Sequence, residues 1–526
     1  MPSLHTYRSM KGMVCSVDHL ASQAGIAVLR AGGSAADAAV AMSAVLAVTT
    51  QHMCGMGGDL LALVHHADGS DPDCLNSSGR AGRGADPERL RAAGHTRMPL
   101  DEEIQTVTVP GCVDGWLALH ERHGRLPLAE VLEPARAYAA EGFPASPHLA
   151  ATVPRILHVD GADDYRRGPI RPGTIITRPG VARTLAAIAD GGRAAFYEGE
   201  FGEGLLRVGD GLFSAEDLRR SQADWVEALG LDVWGHRTWT VPPNSQGYLS
   251  LAAARIAELA GMSPGDAPEP GTAEWVHLLV EASRLAGHDR PAVLHDAADG
   301  CSLLADERLV PRAARIDPDR RGDLPPLAEG GGTIYLCAAD GEGQAVSLIQ
   351  SNARGWGAHI AVPEVGIFLH NRGLGFSLEP GHPAELAPGR RPPHTLSPAL
   401  VQRTDGSLRA VLGTMGGDTQ PQVVLQMLAR LLLHDQSAGR IVPAPRWRLG
   451  SGGFDTWADG GPGTVAIEDD APPAWAEGLA ARGHVVERDP AWSTDHGHAH
   501  LIERGEDGVL AGMHDPRALT GGTATW

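Results

Sequence analysis

A threonine that opens a strand behind three glycines is placed for a specific reaction. The run Glu329-Gly330-Gly331-Gly332-Thr333 sets a hydroxyl directly after residues that carry no side chain to obstruct attack on their carbonyls. In so pliant a turn the Thr333 hydroxyl can attack the Gly332 carbonyl in an N-to-O acyl shift, and hydrolysis of the ester would leave Thr333 as a new amino terminus. The amine so exposed has a reference pKa of about 7.7–8.0, close enough to neutral to serve as the hydroxyl's own general base. Taken alone, a glycine-rich segment before a strand is more often a plain turn.

Other constellations are weaker. Asp495-His496-Gly497-His498-Ala499-His500 would place three imidazoles on one face of a strand, an arrangement able to bind a divalent metal. His277 and Glu281 have helical i,i+4 spacing but lack the second histidine of H-E-x-x-H, and read as a side-chain pair on a helix surface. A G-x-S-x-G elbow is missing, which disfavours a serine triad. Six cysteines lie far apart without C-x-x-C spacing and read as buried free thiols.

Composition narrows the class of partner. The 526 residues are 43% hydrophobic and 21% charged, with a net charge of −20, so the chain reads as globular and a polyanion would meet a repulsive average field. Nucleic acid is not expected as a partner. The first twenty residues hold no signal-peptide core, and no run of about 18 apolar residues could span a bilayer, so a soluble, cytoplasmic protein is expected.

The elements that must position Thr333 follow from periodicity. Residues 18 to 50 read as two helices, the first stopped by Gly32-Gly33 and the second started by a Ser34/Asp37 capping box. Its mostly alanine face implies close helix packing. The segment TTQHMCGMGGDLLALVHHADG reads as a structural glycine turn before an apolar strand; it lacks the Lys-Ser/Thr pair of a phosphate loop. Helical periodicity returns at roughly 111 to 142 and 270 to 290. From Thr333 onward the texture turns to strands (TIYLCAA, QAVSLIQS, VGIFLH, LRAVLGT, HAHLIER, GVLAGMH), with QPQVVLQMLARLLLH as a covering helix. A helical half thus precedes a strand-rich one, and the run DPDRRGDLPPLAEGGG between them reads as an exposed loop.

Four segments then carry a family resemblance: QAGIAVLRAGGSAADAAVA, TIYLCAADGEGQAVSLIQSNARGWG, VGIFLHNRGLGFS with GRRPPHTLSP, and LGTMGGDTQPQ. With weaker echoes in VPGCVDGW, FYEGE and a closing HDPR, the chain resembles the γ-glutamyltranspeptidase family, especially its bacterial acylase branch, over essentially its whole length. The resemblance implies an α+β fold, the four-layer αββα sandwich of the N-terminal-nucleophile hydrolases. It implies a cut between Gly332 and Thr333 into a large segment, 1–332, and a small one, 333–526, that stay together as one structural unit. Thr333 falls at the family's nucleophile, and Ser351 at a second hydroxyl that supports it. Gly416 and Gly417 match the glycine pair whose N–H groups form the oxyanion hole; by themselves they could equally be a strand-to-helix turn. Asn371 and Arg372 match a loop lining the substrate pocket, and His394 and Thr395 a serine pair that contacts substrate.

The pattern departs from glutamyl-binding members at four places. An aspartate that holds the substrate amine corresponds to Gly375, and the nearest arginine for its carboxylate, Arg80, is offset by about two residues. Tyr335 stands where a histidine is usual, and the stretch between Phe376 and Arg390 is short for a lid. The expected activity is cleavage of a γ-glutamyl or related acyl amide through an acyl-enzyme, hydrolysis over transfer, on a small-molecule or peptide-like substrate and without a cofactor; the resemblance implies no metal on the late strand that holds His496, His498 and His500. Hydrolytic cleavage of a carbon–carbon bond beside a carbonyl, or an uncleaved binding homologue, are the alternatives, and a homo-oligomer is compatible with all of them.

Overall fold

Short antiparallel pairings dominate the architecture, and they come from both halves of the chain. The computed structural model describes residues 5–324, 333–450 and 463–526. Its two large sheets use, in chain order, β1 Tyr7–Ser9, β2 Gly12–Ser16, β3 Asp59–His65, β4 Asp73–Ser77, β5 Asp224–Val226, β6 Leu229–Val233, β7 His236–Thr240, β8 Ile334–Asp340, β9 Ala345–Ser351, β10 Ala399–Gln402, β11 Leu408–Thr414, β12 Ala499–Arg504, β13 Leu510–Met513 and β14 Gly522–Thr525. The first sheet has the order β14-β2-β8-β9-β3-β4-β5 and the second β1-β13-β12-β11-β10-β7-β6, with every neighbouring pair antiparallel. Strands after Thr333 sit between strands before it in both sheets.

Helices cover the outer faces. The first sheet is covered by α1 His19–Arg30, α2 Ala35–Thr49, α3 Cys112–His123, α4 Leu128–Glu141 and α5 Pro179–Tyr197, and the second by α6 Tyr248–Leu259, α7 Ala273–Gly287 and α8 Gln420–Leu432. The result is the four-layer αββα sandwich. Alternation along β8 divides its side chains: Ile334, Leu336 and Ala338 join the core under the helices, while Tyr335, Cys337 and Ala339 face the second sheet.

Local chemistry explains the best-read element. Ser34 Oγ accepts from Asp37 N (3.1 Å) and the Asp37 carboxylate accepts from Ser34 N (3.0 Å), the reciprocal cap that starts α2. All of α2 is buried, and α1 crosses it so closely that a Cβ on Gly25 would lie 2.7 Å from Met42 Cγ. The alanine face permits that approach.

Several expectations are corrected. The first half is not purely helical, since it supplies seven of the fourteen strands; most are three to five residues long, too short for a period to register. The periodicity at 111 to 142 is two helices, α3 and α4, broken at Gly124 to Pro127. His277 and Glu281 are fully buried: His277 contacts His484 Nε2 (3.0 Å) and the Asp317 carbonyl (2.8 Å), and Glu281 pairs with Arg284. Of the six thiols, all free, Cys301 is exposed. The loop-like run is indeed exposed at Pro318 to Arg320, while its continuation through Gly332 lies outside the described residues.

Candidate active site

Thr333 stands immediately before β8, fully buried, one step beyond the Ile334/Gln350 pair of the β8/β9 ladder. That register sets its Oγ1 3.1 Å from Ser351 Oγ, which also accepts from Ala353 N at 2.8 Å. Ser351 in turn pairs with Asp59 at the start of β3. Thr333, Ser351 and Asp59 therefore form a row across one end of the first sheet, and alternation turns them toward the second.

The facing end of the second sheet carries the glycine pair. β11 ends at Thr414, and Gly416 (φ 128°) and Gly417 (φ 56°) turn the chain in the left-handed region before α8. The two ends are brought into register by Tyr335, whose ring lies against Gly413 so tightly that a Cβ there would be 2.5 Å from it. Tyr335 also bonds Ser347 Oγ (3.0 Å) and stacks on His500 with ring centroids 6.0 Å apart. The tyrosine in place of a histidine is thus a spacer between the sheets. Burial pushes its hydroxyl pKa well up.

Beside this row lies a buried polar network. Asp59 is fully buried; it accepts from Gly79 N (2.9 Å) and His394 Nε2 (3.0 Å), with His370 Nδ1 at 3.3 Å and Arg372 Nε at 3.7 Å. Burial pushes its carboxyl up, but the interactions with His370 and His394 outweigh that and hold it well below the usual carboxylate range. Burial, then the Arg372 charge, lowers His394 to about 3, so its imidazole is neutral at ordinary pH. Arg372 donates to Thr395 Oγ1 (3.1 Å), and burial lowers its guanidinium to about 10. Gln246 Nε2 donates to both the Thr395 carbonyl (3.1 Å) and the Gly417 carbonyl (3.0 Å), linking the His394-Thr395 segment to the glycine turn.

The structure thus gathers Thr333 with Ser351, and Arg372 with His394 and Thr395. Asn371 lies in the same loop but is held to backbone: its Nδ2 donates to the Leu100 carbonyl (2.8 Å) and its Oδ1 accepts from Arg354 N (3.1 Å). Arg80 belongs to a separate cluster, ion-paired at 2.5 Å with Asp224, which also holds Arg391 at 2.8 Å. At Gly375 a Cβ would lie 2.2 Å from the Pro393 carbonyl, so no aspartate fits there. Gly332 lies outside the described residues.

Reading GMGGD as a structural turn holds for its glycines: a Cβ on Gly57 would lie 2.1 Å from the Phe368 carbonyl, and one on Gly58 2.3 Å from that of Ser351. It passes over Asp59, although an acid heading an apolar strand is a cue. His370 and Gln246 were equally passed over, and for Gln246 no spacing announces it. The three-imidazole strand face is not formed. His496 lies in a short turn, 2.9 Å from Asp489, and Gly497 at φ 82° separates it from β12. Three side chains able to ligate a metal do converge elsewhere, Glu102, His158 and His359 at the surface.

A sandwich of two antiparallel sheets between helical layers, with a strand-initial hydroxyl buried at one end, defines the N-terminal-nucleophile class of hydrolases. Within it, the γ-glutamyltranspeptidase family model matches residues 21–525, and the chain belongs to that family. It is 36% identical over 523 residues to the glutathione hydrolase-like YwrD proenzyme of Bacillus subtilis (strain 168), covering 96% of this chain and 97% of that one. To the oxamate amidohydrolase proenzyme of Klebsiella pneumoniae subsp. pneumoniae it is 34% identical, covering 97% and 98%. The solved cephalosporin acylase from Bacillus halodurans superposes with a TM-score of 0.89 at 33% identity, over 99% of this chain and 97% of that one. The protein is an enzyme of this family of hydrolases and acyltransferases, whose relatives are made as proenzymes. Among its described residues no helix is long and apolar enough to cross a membrane.

Proposed function

We propose that Thr333 is the nucleophile, exposed when the chain cuts itself after Gly332, and that the mature enzyme hydrolyses an acyl amide. The Thr333 Oγ1 to Ser351 Oγ contact of 3.1 Å, buried at the sheet end that faces the Gly416-Gly417 turn, carries this reading. Thr333 Oγ bonds to the acyl carbon, its proton passes to the Thr333 amine and on to the departing nitrogen, and the C–N bond breaks. Water then cleaves the ester, releasing the acid and restoring the hydroxyl. Ser351 orients the nucleophile, and the backbone N–H groups of Gly416 and Gly417 receive the oxyanion.

The relatives are named for glutathione, oxamate and cephalosporins, so family membership leaves the acyl group open. The chain's own residues favour a related acyl amide over a γ-glutamyl one. Gly375 cannot carry an acid, Arg80 is engaged by Asp224, and Arg372 is engaged by Asp59 and Thr395. A charged amino-acid head left poorly paired costs about 1–3 kcal/mol per group.

Intact mass under denaturing conditions tests the first step. Wild type should give two chains, the smaller of 526 − 332 = 194 residues beginning at Thr333, while Thr333→Ala remains one. Cleavage in the variant, or a single chain in both, refutes the nucleophile. On anilides, kcat/KM for simple N-acyl groups should exceed that for γ-glutamyl by roughly tenfold or more.

A further inference from the structure

We propose that Glu102, His158 and His359 bind a divalent transition-metal ion of the zinc type at the surface seam between the segments before and after Thr333. One ligating atom from each lies within 4.8 Å of the others, with His158 Nε2 already 3.1 Å from Glu102 Oε1 and the two imidazoles edge to face at 6.2 Å. Two imidazole nitrogens and one carboxylate oxygen are a borderline donor set that selects zinc and its neighbours over magnesium or calcium, and three protein ligands leave coordination positions for water.

The three side chains come from three loops distant in sequence, and each loop is pinned beside its ligand. Glu102 N donates to the Ala358 carbonyl (2.7 Å), which joins the first loop directly to the residue before His359. Arg166 fixes the His158 loop, donating to the carbonyls of Leu157 (2.8 Å) and Val159 (2.6 Å). Ala358 N and the Ile360 carbonyl are both bonded to Leu369, at 2.9 and 2.8 Å, so His359 is bracketed. A site held this way loses little freedom on closing around an ion. The Glu102 loop is also bonded to the loop that carries Arg372, because the Leu100 carbonyl accepts from Asn371 Nδ2. A bound ion would tie Glu102 and His158 of the large segment to His359 of the small one.

The test is titration of zinc chloride into metal-free, full-length protein, read by calorimetry, for wild type, for His158→Ala, Glu102→Gln and His359→Asn singly, and for the triple variant that combines them. His359 has φ 55° and asparagine tolerates that region, so its backbone should survive the change. The His158 side chain is 57% exposed, so its removal should leave the fold intact. Wild type should hold one zinc per chain more than the triple variant, each single change should weaken that equivalent about tenfold or more, and magnesium chloride should show no such difference. The melting temperature of wild type, and not of the triple variant, should rise with zinc. Equal stoichiometry and affinity in wild type and triple variant would overturn the proposal, since the remaining histidines would then account for all binding.

Discussion

Replacing Asp59 by asparagine keeps its shape and removes its charge from a fully buried site. The Gly79 N–H keeps an acceptor, but the new amide nitrogen faces His394 Nε2 and the Arg372 guanidinium, and Arg372 loses the charge of Asp59. Breaking a buried pair on one side costs about 3–5 kcal/mol. An unfolding entropy of about 2.1 cal/mol/K per residue over 526 residues is about 1.1 kcal/mol/K, so the melting temperature should fall by roughly 3–5 °C. Scanning calorimetry on wild type, Asp59→Asn, Arg372→Met and the double variant reads this directly. The double variant, which removes both charges, should melt above the sum of the single losses by about 1–3 kcal/mol equivalent. A single-variant shift below 1 °C, or strictly additive losses, would refute the view that Asp59 and Arg372 stabilise each other.

Gly375→Asp should not confer recognition of γ-glutamyl anilides; with a Cβ 2.2 Å from the Pro393 carbonyl, it should lower the melting temperature instead. Gly413→Ala forces a methyl into the Tyr335 ring and should cost about 1–3 kcal/mol, partly recovered in Gly413→Ala/Tyr335→Val, as thermal melts would show. Stability should fall as pH drops below about 6.5: burial lowers His394 and His500 to about 3 and His498 to about 4, so the unfolded chain binds protons in that window and the folded one does not. Each contributes up to about 1.4 kcal/mol per pH unit until its folded value is reached, so a melting temperature unchanged between pH 7 and pH 5 would count against neutral buried imidazoles.

What the sequence revealed depended on how local the signal was. The Ser34/Asp37 box and the alanine face of α2 are read within four residues and fourteen, and both appear as expected. The family motifs placed Thr333 opposite Ser351 because a hairpin fixes that pairing. Asp59 is different: its role comes from His370, His394 and Arg372, more than three hundred residues away, which only the sheet assembly brings to it. The burial of His277 and Glu281 was hidden for a similar reason, since the partner of His277 is His484. Arg80 shows the converse, where proximity to a motif did not reveal that Asp224 would claim its charge.

The interleaving of strands has a consequence for the life history of the molecule. With β2 held between β14 and β8, and β10 to β13 bounded by β7 and β1, the two segments share ladders on five seams. As one chain, these ladders form at fixed intramolecular concentration. After a cut before Thr333, an unfolded molecule would have to rebuild them by diffusion between two fragments, each carrying open strand edges. Cutting would therefore act as a one-way gate: the active form is inherited from a single correct folding event, and its persistence is a matter of lifetime rather than equilibrium.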